Sequence, residues 1–173
     1  MSQSSSAEEQ RKAYLEGEWR NPLTTTHTGG RVLSGSQLPW FTLIPPRGYG
    51  VLTTTGRKTG KKRRKCVRVI RQGDKAYLVS LRGPYGAWFR NLRAQPRVRL
   101  RIRGGTFDGT AREITDPGEY EEARTAFCGA VNPLDRAEHL LHRRGRPSRD
   151  RIKALHERWF AIGTPVVIEL RSK

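Results

Sequence analysis

Residues 51–68 read VLTTTGRKTGKKRRKCVR. Val51 to Thr55 is β-branched apart from Leu52, which favours an extended strand. Gly56 and Gly60 then bracket a tight connection. Between Arg57 and Lys65 seven of nine side chains are Lys or Arg, after which Cys66 to Ile70 returns to strand-like residues. Like charges repel, so such a run is either solvated or grips a polyanion. Two readings follow. One is a solvated hairpin loop. The other is a phosphate or carboxylate clamp, in which glycines let backbone N–H groups approach the anion while Lys58 and Arg63 supply charge. A Walker loop is excluded: the Gly-to-Gly-Lys spacing is too short and no helix-forming segment follows the Lys.

The 173 residues suit one domain, large enough to bury a core without metal or disulfide help. Only 35% of residues are hydrophobic, yet four Trp, five Tyr and five Phe supply large packing groups. Lys and Arg total 34 against 16 acidic residues, a formal charge of +18. A field of that size attracts nucleic acid, anionic membrane surfaces or polyanionic small molecules, and charge alone does not choose among them. Cys66 and Cys128 are too few for a disulfide framework. With no signal peptide or long apolar span, a reducing cytoplasm is expected. Neither cysteine has a metal-ligand neighbour, and His27, His139, His142 and His156 lie away from both, so no metal site is expected.

Working outward, Met1 to Gln10 reads as a mobile tail and Ala7 to Trp19 as a helix carrying Tyr14, Leu15 and Trp19 at one-turn spacing. Asn21 to Ser36 reads as a Thr/Gly/Ser-rich connector. Leu38 to Pro46, LPWFTLIPP, is an apolar run whose prolines argue against a regular element; it either packs in the core or forms an exposed substrate or membrane lip. These segments suggest residues 1–36 as tail, helix and connector before a single domain over 37–173.

C-terminal to the basic stretch, Cys66 to Arg71 and Lys75 to Leu81 read as a hairpin about Gln72-Gly73-Asp74. A Gly/Pro loop at Arg82 to Gly86 leads into a short helix with Trp88, Asn91 and Leu92, ended by Pro96. RVRLRIR at Arg97 to Arg103 alternates perfectly, as a strand with one buried and one wet face does; its arginines suit either a guarded sheet edge or a polyanion surface. Gly104-Gly105 turns the chain into Thr106 to Ile114. Helices are expected from the Thr115-Asp116-Pro117 start to about Val131, over Leu134 to Arg144, and after Ser148 with Ile152, Leu155 and Trp159 on one face. Pro165 to Leu170 is a closing strand. Sequential hairpins predict an antiparallel sheet closed into a small barrel, mainly β with flanking helices and a helical insertion over about 116–162.

Hydrolytic motifs are absent: there is no Gly-x-Ser-x-Gly elbow and no His-Glu-x-x-His, and Glu121-Glu122 sits within a helix. TTTGRKTG at Thr53 to Gly60, followed by a strand, a Gly-rich loop, AWFRNLRAQP at Ala87 to Pro96 and an alternating strand, resembles the deazaflavin-dependent nitroreductase and quinone reductase family. The resemblance runs from about Leu52 to Ile114. It implies a split β-barrel of the flavin-reductase (FMN-binding) type and coenzyme F420, in preference to FMN, as cofactor. That ligand carries a phosphate and an oligoglutamate tail, which is what the basic loop would grip. Lys58 and Arg63 match phosphate-contacting positions, with Arg57, Thr59 and Gly60 completing the turn. Lys65 and Cys66 match positions bordering the ring, where the family usually has a polar residue and then Pro. Ser80, Leu81 and Arg82 match the strand end beside the ring, and Ala87, Trp88 and Asn91 the helix enclosing the cofactor. Cys66 beside positive charge suits either a thiol of lowered pKa or a packed one. For the acceptor pocket the candidates are Tyr85 and Trp159 (with Phe160), though a helical aromatic at this spacing equally suits a core.

The implied activity is hydride transfer from reduced deazaflavin to a small-molecule electron acceptor: a quinone, a nitroaromatic or an activated alkene. No catalytic nucleophile or base is assigned. A non-catalytic split-barrel protein binding a polyanion or nucleic acid is the alternative, although no nucleic-acid motif of defined spacing is present. The resemblance also implies a homodimer. Contact with the inner face of a membrane, through Ala7 to Trp19 and Leu38 to Pro46, is compatible with quinone reduction.

Overall fold

The computed structural model describes residues 9–13, 27–143 and 145–171. Residues 9–13 are helical, so the expected tail ends in helix at Gln10; the rest of the helix expected over Ala7 to Trp19, including Tyr14, Leu15 and Trp19, lies outside the described residues, as do residues 1–8 of the tail and residues 21–26 of the connector.

Seven antiparallel strands form one sheet in the order β2-β1-β5-β6-β7-β4-β3. They are β1 Tyr49–Thr55, β2 Lys62–Arg68, β3 Ile70–Gln72, β4 Lys75–Ser80, β5 Arg97–Ile102, β6 Gly105–Glu113 and β7 Thr164–Leu170. The two ends of this order, β2 and β3, are separated in the chain by Val69 alone. The segment from Lys62 to Gln72 therefore pairs with β1 through its first half and with β4 through its second, which curls the sheet into a split barrel. Val69, at the bend, donates its amide to the Gly48 carbonyl at 2.9 Å.

Strand alternation sorts the side chains. Leu52, Ala76, Leu78, Leu100, Ile102, Val166 and Ile168 fill the barrel, and helix α2 (Ala87–Ala94; α1 is His27–Leu43) plugs it with Phe89 and Leu92. The opposite faces of β4 and β7 bring Tyr77 and Val167 against helices α3 (Pro117–Gly129) and α5 (Arg149–Ile162). The helix starts obey their caps: Asp116 accepts from the Glu119 amide at 2.8 Å and Ser148 from the Arg151 amide at 3.2 Å. Between them lies α4, Asp135–His142.

Three expectations are corrected. From His27 to Leu43, where the sequence predicts connector and then irregular chain, the residues form α1, with Pro39 inside it. Tertiary packing overrides the local signals: Leu38 and Phe41 close on Tyr49, Val51, Cys66 and Leu134. The basic run is strand rather than loop from Lys62 onward, because the threonines of β1 give it uncharged cross-strand neighbours, Thr53 opposite Arg64 and Thr54 opposite Arg63. β5 is no sheet edge; it lies between β1 and β6, its wet face carrying Arg99 paired to Asp108.

At the bend, Arg68 turns into the helical layer. Its Nη2 donates to the carbonyls of Ala130 (2.7 Å) and Phe127 (3.2 Å) at the end of α3, and stands 3.5 Å from Asp135 Oδ2. Nε donates to His156 Nε2 at 3.2 Å. Asp135, fully buried, accepts from the Tyr49 hydroxyl and the Asn132 amide, each at 2.6 Å. Burial, reinforced by the Arg68 guanidinium and opposed by a hydrogen bond to the Cys128 backbone, pushes the His156 imidazole down to about 3.

His156 therefore stays neutral when folded but protonates in the unfolded chain below its ordinary value. Its contribution is complete above that value and is lost as pH falls toward the folded one. Between about pH 7 and pH 5 this linkage costs about 2 kcal/mol; His139, also lowered by burial, adds with the same sign. Urea melts of wild type and His156→Gln at both pH values check this, and the variant is expected to show the shallower pH dependence.

Candidate functional site

The end of β1 and the start of β2 are joined by a turn built on Gly56. Its carbonyl accepts the amides of Thr59 (3.2 Å) and Gly60 (2.8 Å), and its amide donates to the Lys61 carbonyl at 2.8 Å. Gly60 adopts φ +66° with open space where a Cβ would stand, a left-handed conformation that suits glycine and leaves the backbone approachable. Arg57, Lys58, Thr59 and Gly60 are all exposed. Among the described residues, no acidic side chain forms a salt bridge with the cations from Arg57 to Arg64. The result is a concentrated, uncompensated positive field at one end of the barrel.

The turn is fastened to α2 by Asn91. Its Oδ1 accepts from both the Arg57 amide and the Arg57 guanidinium at 3.3 Å, and its Nδ2 donates to Thr54 Oγ1 at 3.2 Å. Asn91 and Thr54 are buried. Thr54 lies opposite Arg63 in the β1–β2 register, so Arg57, Asn91, Thr54 and Arg63 form one contiguous group. Thr54 is the member that sequence reasoning missed. Its signal was its place in the Thr53 to Thr55 run, where alternation gives the middle residue the inner face.

Ser80, at the end of β4, donates to the Gly83 carbonyl at 2.9 Å and closes the turn that leads to Gly86, the residue capping α2. A Cβ on Gly86 would lie 2.6 Å from Ser80 Oγ, so glycine is needed where the strand end meets the helix start. This links Ser80 to exposed Ala87, to Trp88, packed against the barrel core, and to Asn91. Arg82 is exposed in the same turn.

The remaining candidates lie on β2, in the loop before α2 and in the helical layer. Alternation in β2 sets Arg63, Lys65 and Val67 on one face, with Val67 against the barrel core, and Cys66 on the other, against the α1 cluster. Burial pushes the Cys66 thiol up to about 11 despite Lys65 beside it, so Cys66 is a packed thiol and not a reactive thiolate. Burial also lowers Lys65 below the ordinary lysine value. Leu81 packs with the helical layer. Trp159 is buried there, edge-on to His142 with centroids 4.8 Å apart, and Phe160 is equally buried; both pack in the core of the helical layer. Tyr85 is 63% exposed.

Residues 20–136 match the family model described as F420H(2)-dependent quinone reductase. A solved structure of an F420-H2 dependent reductase (FDR-A) is 22% identical, with 73% of this chain and 97% of that chain covered and a TM-score of 0.48. Another, described as a domain-swapped dimer, is also 22% identical, covers 80% of this chain and 92% of that one, and gives a TM-score of 0.50. A FAD-binding protein from Mesorhizobium loti is 18% identical over 73% of this chain and 83% of its own, with a TM-score of 0.47.

Asn91→Ala is expected to lower unfolding stability by about 1–3 kcal/mol, because the Thr54 hydroxyl and Arg57 amide lose their buried partner. Urea denaturation followed by fluorescence measures this; an unchanged midpoint would show that the turn is held without Asn91.

Proposed function

As this chain belongs to the F420H(2)-dependent quinone reductase family, it is an F420-dependent reductase, and we propose that it passes a hydride from reduced deazaflavin to a quinone, nitroaromatic or activated alkene. The observation that carries this reading is the uncompensated basic turn fastened through Asn91 to the helix that plugs the barrel. The donor set fits coenzyme F420. A slender ligand with several negative charges needs exposed cations and approachable amides at one end, which Arg57, Lys58, Thr59, Gly60 and Arg63 offer, and an apolar wall for a planar ring at the other.

Bound reduced F420 supplies the hydride. Lys58 and Arg63 hold the anionic end of the cofactor, and Asn91 fixes the direction of the turn. Lys65, Ser80, Arg82, Ala87 and Trp88 border the ring, with Ser80 and Gly86 setting the distance between strand end and helix. Binding, orientation and exclusion of water are what the protein contributes. Tyr85 stands exposed beside the helix start and is the residue we place next to the acceptor. The active unit is taken as a homodimer, since a similar chain is described as a domain-swapped dimer. It would work in the cytoplasm at the inner face of a membrane.

Titration with oxidised F420, read by tryptophan quenching, tests the reading. Wild type is expected to bind saturably, and combining Lys58→Ala with Arg63→Ala is expected to weaken binding at least about tenfold. Absence of saturable binding at low salt would overturn the assignment of this site.

A further inference from the structure

Of residues 9–13, all helical, only Arg11 is not exposed. Its Nε donates at 2.6 Å to the carbonyl of Ile162, the last residue of α5, which stands 151 positions away in the chain. A helix end of this kind carries partial negative charge and suits a guanidinium. The rest of the same guanidinium lies on Gly83. A Cβ there would fall on Cζ and Nη1 of Arg11. Gly83 is also buried with φ +53°, so the missing side chain serves both the backbone of the turn and the arginine that covers it.

The two groups that Arg11 bridges meet again at Ser80. Gly163, which follows Ile162, approaches the end of β4 so closely that a Cβ on it would collide with Val79 and come within 3.1 Å of the Ser80 carbonyl. Ser80 is the register partner of Thr164. On the other side, the Gly83 carbonyl accepts the Ser80 hydroxyl at 2.9 Å and the Gly86 amide at 3.2 Å. The guanidinium therefore braces the turn from Ser80 to the start of α2 against the junction of α5 and β7. Arg11 and Ile162 both lie outside residues 20–136, so the brace is not among the features that the family match covers.

We propose that Arg11 is a positioning residue for the deazaflavin ring. Through Gly83 it sets Ser80, Ala87 and Trp88, which border the ring, and Tyr85, which stands beside the acceptor. The basic turn is fastened separately, through Asn91. Arg11 thus governs how the ring lies, while Lys58 and Arg63 govern how tightly the anionic end is held. The inference rests on the reading of this site as one for F420 and adds to it a residue from the N-terminal segment.

Two readouts on the full chain separate these roles: tryptophan quenching by oxidised F420 for affinity, and the induced visible circular dichroism of the bound ring at saturation for orientation. Arg11→Ala removes no apolar group of the barrel core. Its Kd is expected to stay within about threefold of wild type, while the induced signal falls by at least about half. Lys58→Ala with Arg63→Ala is expected to do the reverse, binding more weakly but giving the wild-type signal once saturated. An Arg11→Ala protein whose bound ring keeps the wild-type spectrum overturns the proposal, whether or not its affinity changes, since a change in affinity alone marks a merely structural role. If wild type itself binds no F420, the reading of the site falls and this inference with it. Wild-type binding with an unchanged Arg11→Ala spectrum removes this inference alone.

Discussion

Arg68 keeps only 6% of its side chain exposed, at the bend where one strand passes from β1 to β4. Taking a guanidinium out of water costs several kcal/mol unless its donors are met. Here the last carbonyls of α3, the carboxylate of Asp135 and the imidazole of His156 meet Nε and Nη2, while Nη1 is buried without a hydrogen-bond partner among the described residues and the ring of Phe127 lies under the cation at 4.6 Å. The carbonyl end of a helix carries partial negative charge, so α3 helps neutralise the guanidinium before Asp135 is counted. One side chain thus fixes the bend in the barrel wall to α3, α4 and α5 together. Tyr49, bonded to Asp135, adds the first turn of β1 to the same cluster.

Positive charge is partitioned by this arrangement. Elsewhere on the surface some arginines have carboxylates: Arg112 meets Glu119 and Glu169, and Arg124 meets Glu121 and Glu157. The Lys65 and Arg68 end of β2 is drawn inward. The cations from Arg57 to Arg64 stay outside, with no acidic partner among the described residues, on a turn that Asn91 fastens to the barrel plug. Such a field costs stability through self-repulsion and is useful where an anion relieves it.

Much of the barrel is legible in the residues. The alternation of Arg97 to Ile102 matches its burial strand for strand, Gly73 and Gly104-Gly105 turn with positive φ, and the Asp116 and Ser148 caps start their helices. Local chemistry decides those features. What stayed hidden depends on contacts remote in sequence. Pro39 looks like a helix breaker until Leu38 and Phe41 find Tyr49 and Val51. Lys62 to Arg64 look like loop until the threonines of β1 lie beside them. In the site, the motif residues Arg57 and Asn91 can be picked out in sequence, but their contact appears only in the fold. Cys66 and Lys65 adjoin in sequence, but a strand sends neighbours to opposite faces, and only pairing with β1 reveals which face each takes. Trp159 needed the helical layer around it to be read as core.

β7 lies between β6 and β4 and bonds to both, although three helices separate it in the chain from the strands it joins. Without Thr164–Leu170 the sheet would fall into a four-strand piece and a two-strand piece, each with its apolar face wet. During synthesis on the ribosome, then, the hairpins can form as they emerge, but the barrel interior stays open until this strand arrives. The nascent chain must keep Leu52, Leu78 and Leu100 from straying into other contacts for that whole interval, which makes the helical insertion a delay line as well as a wall.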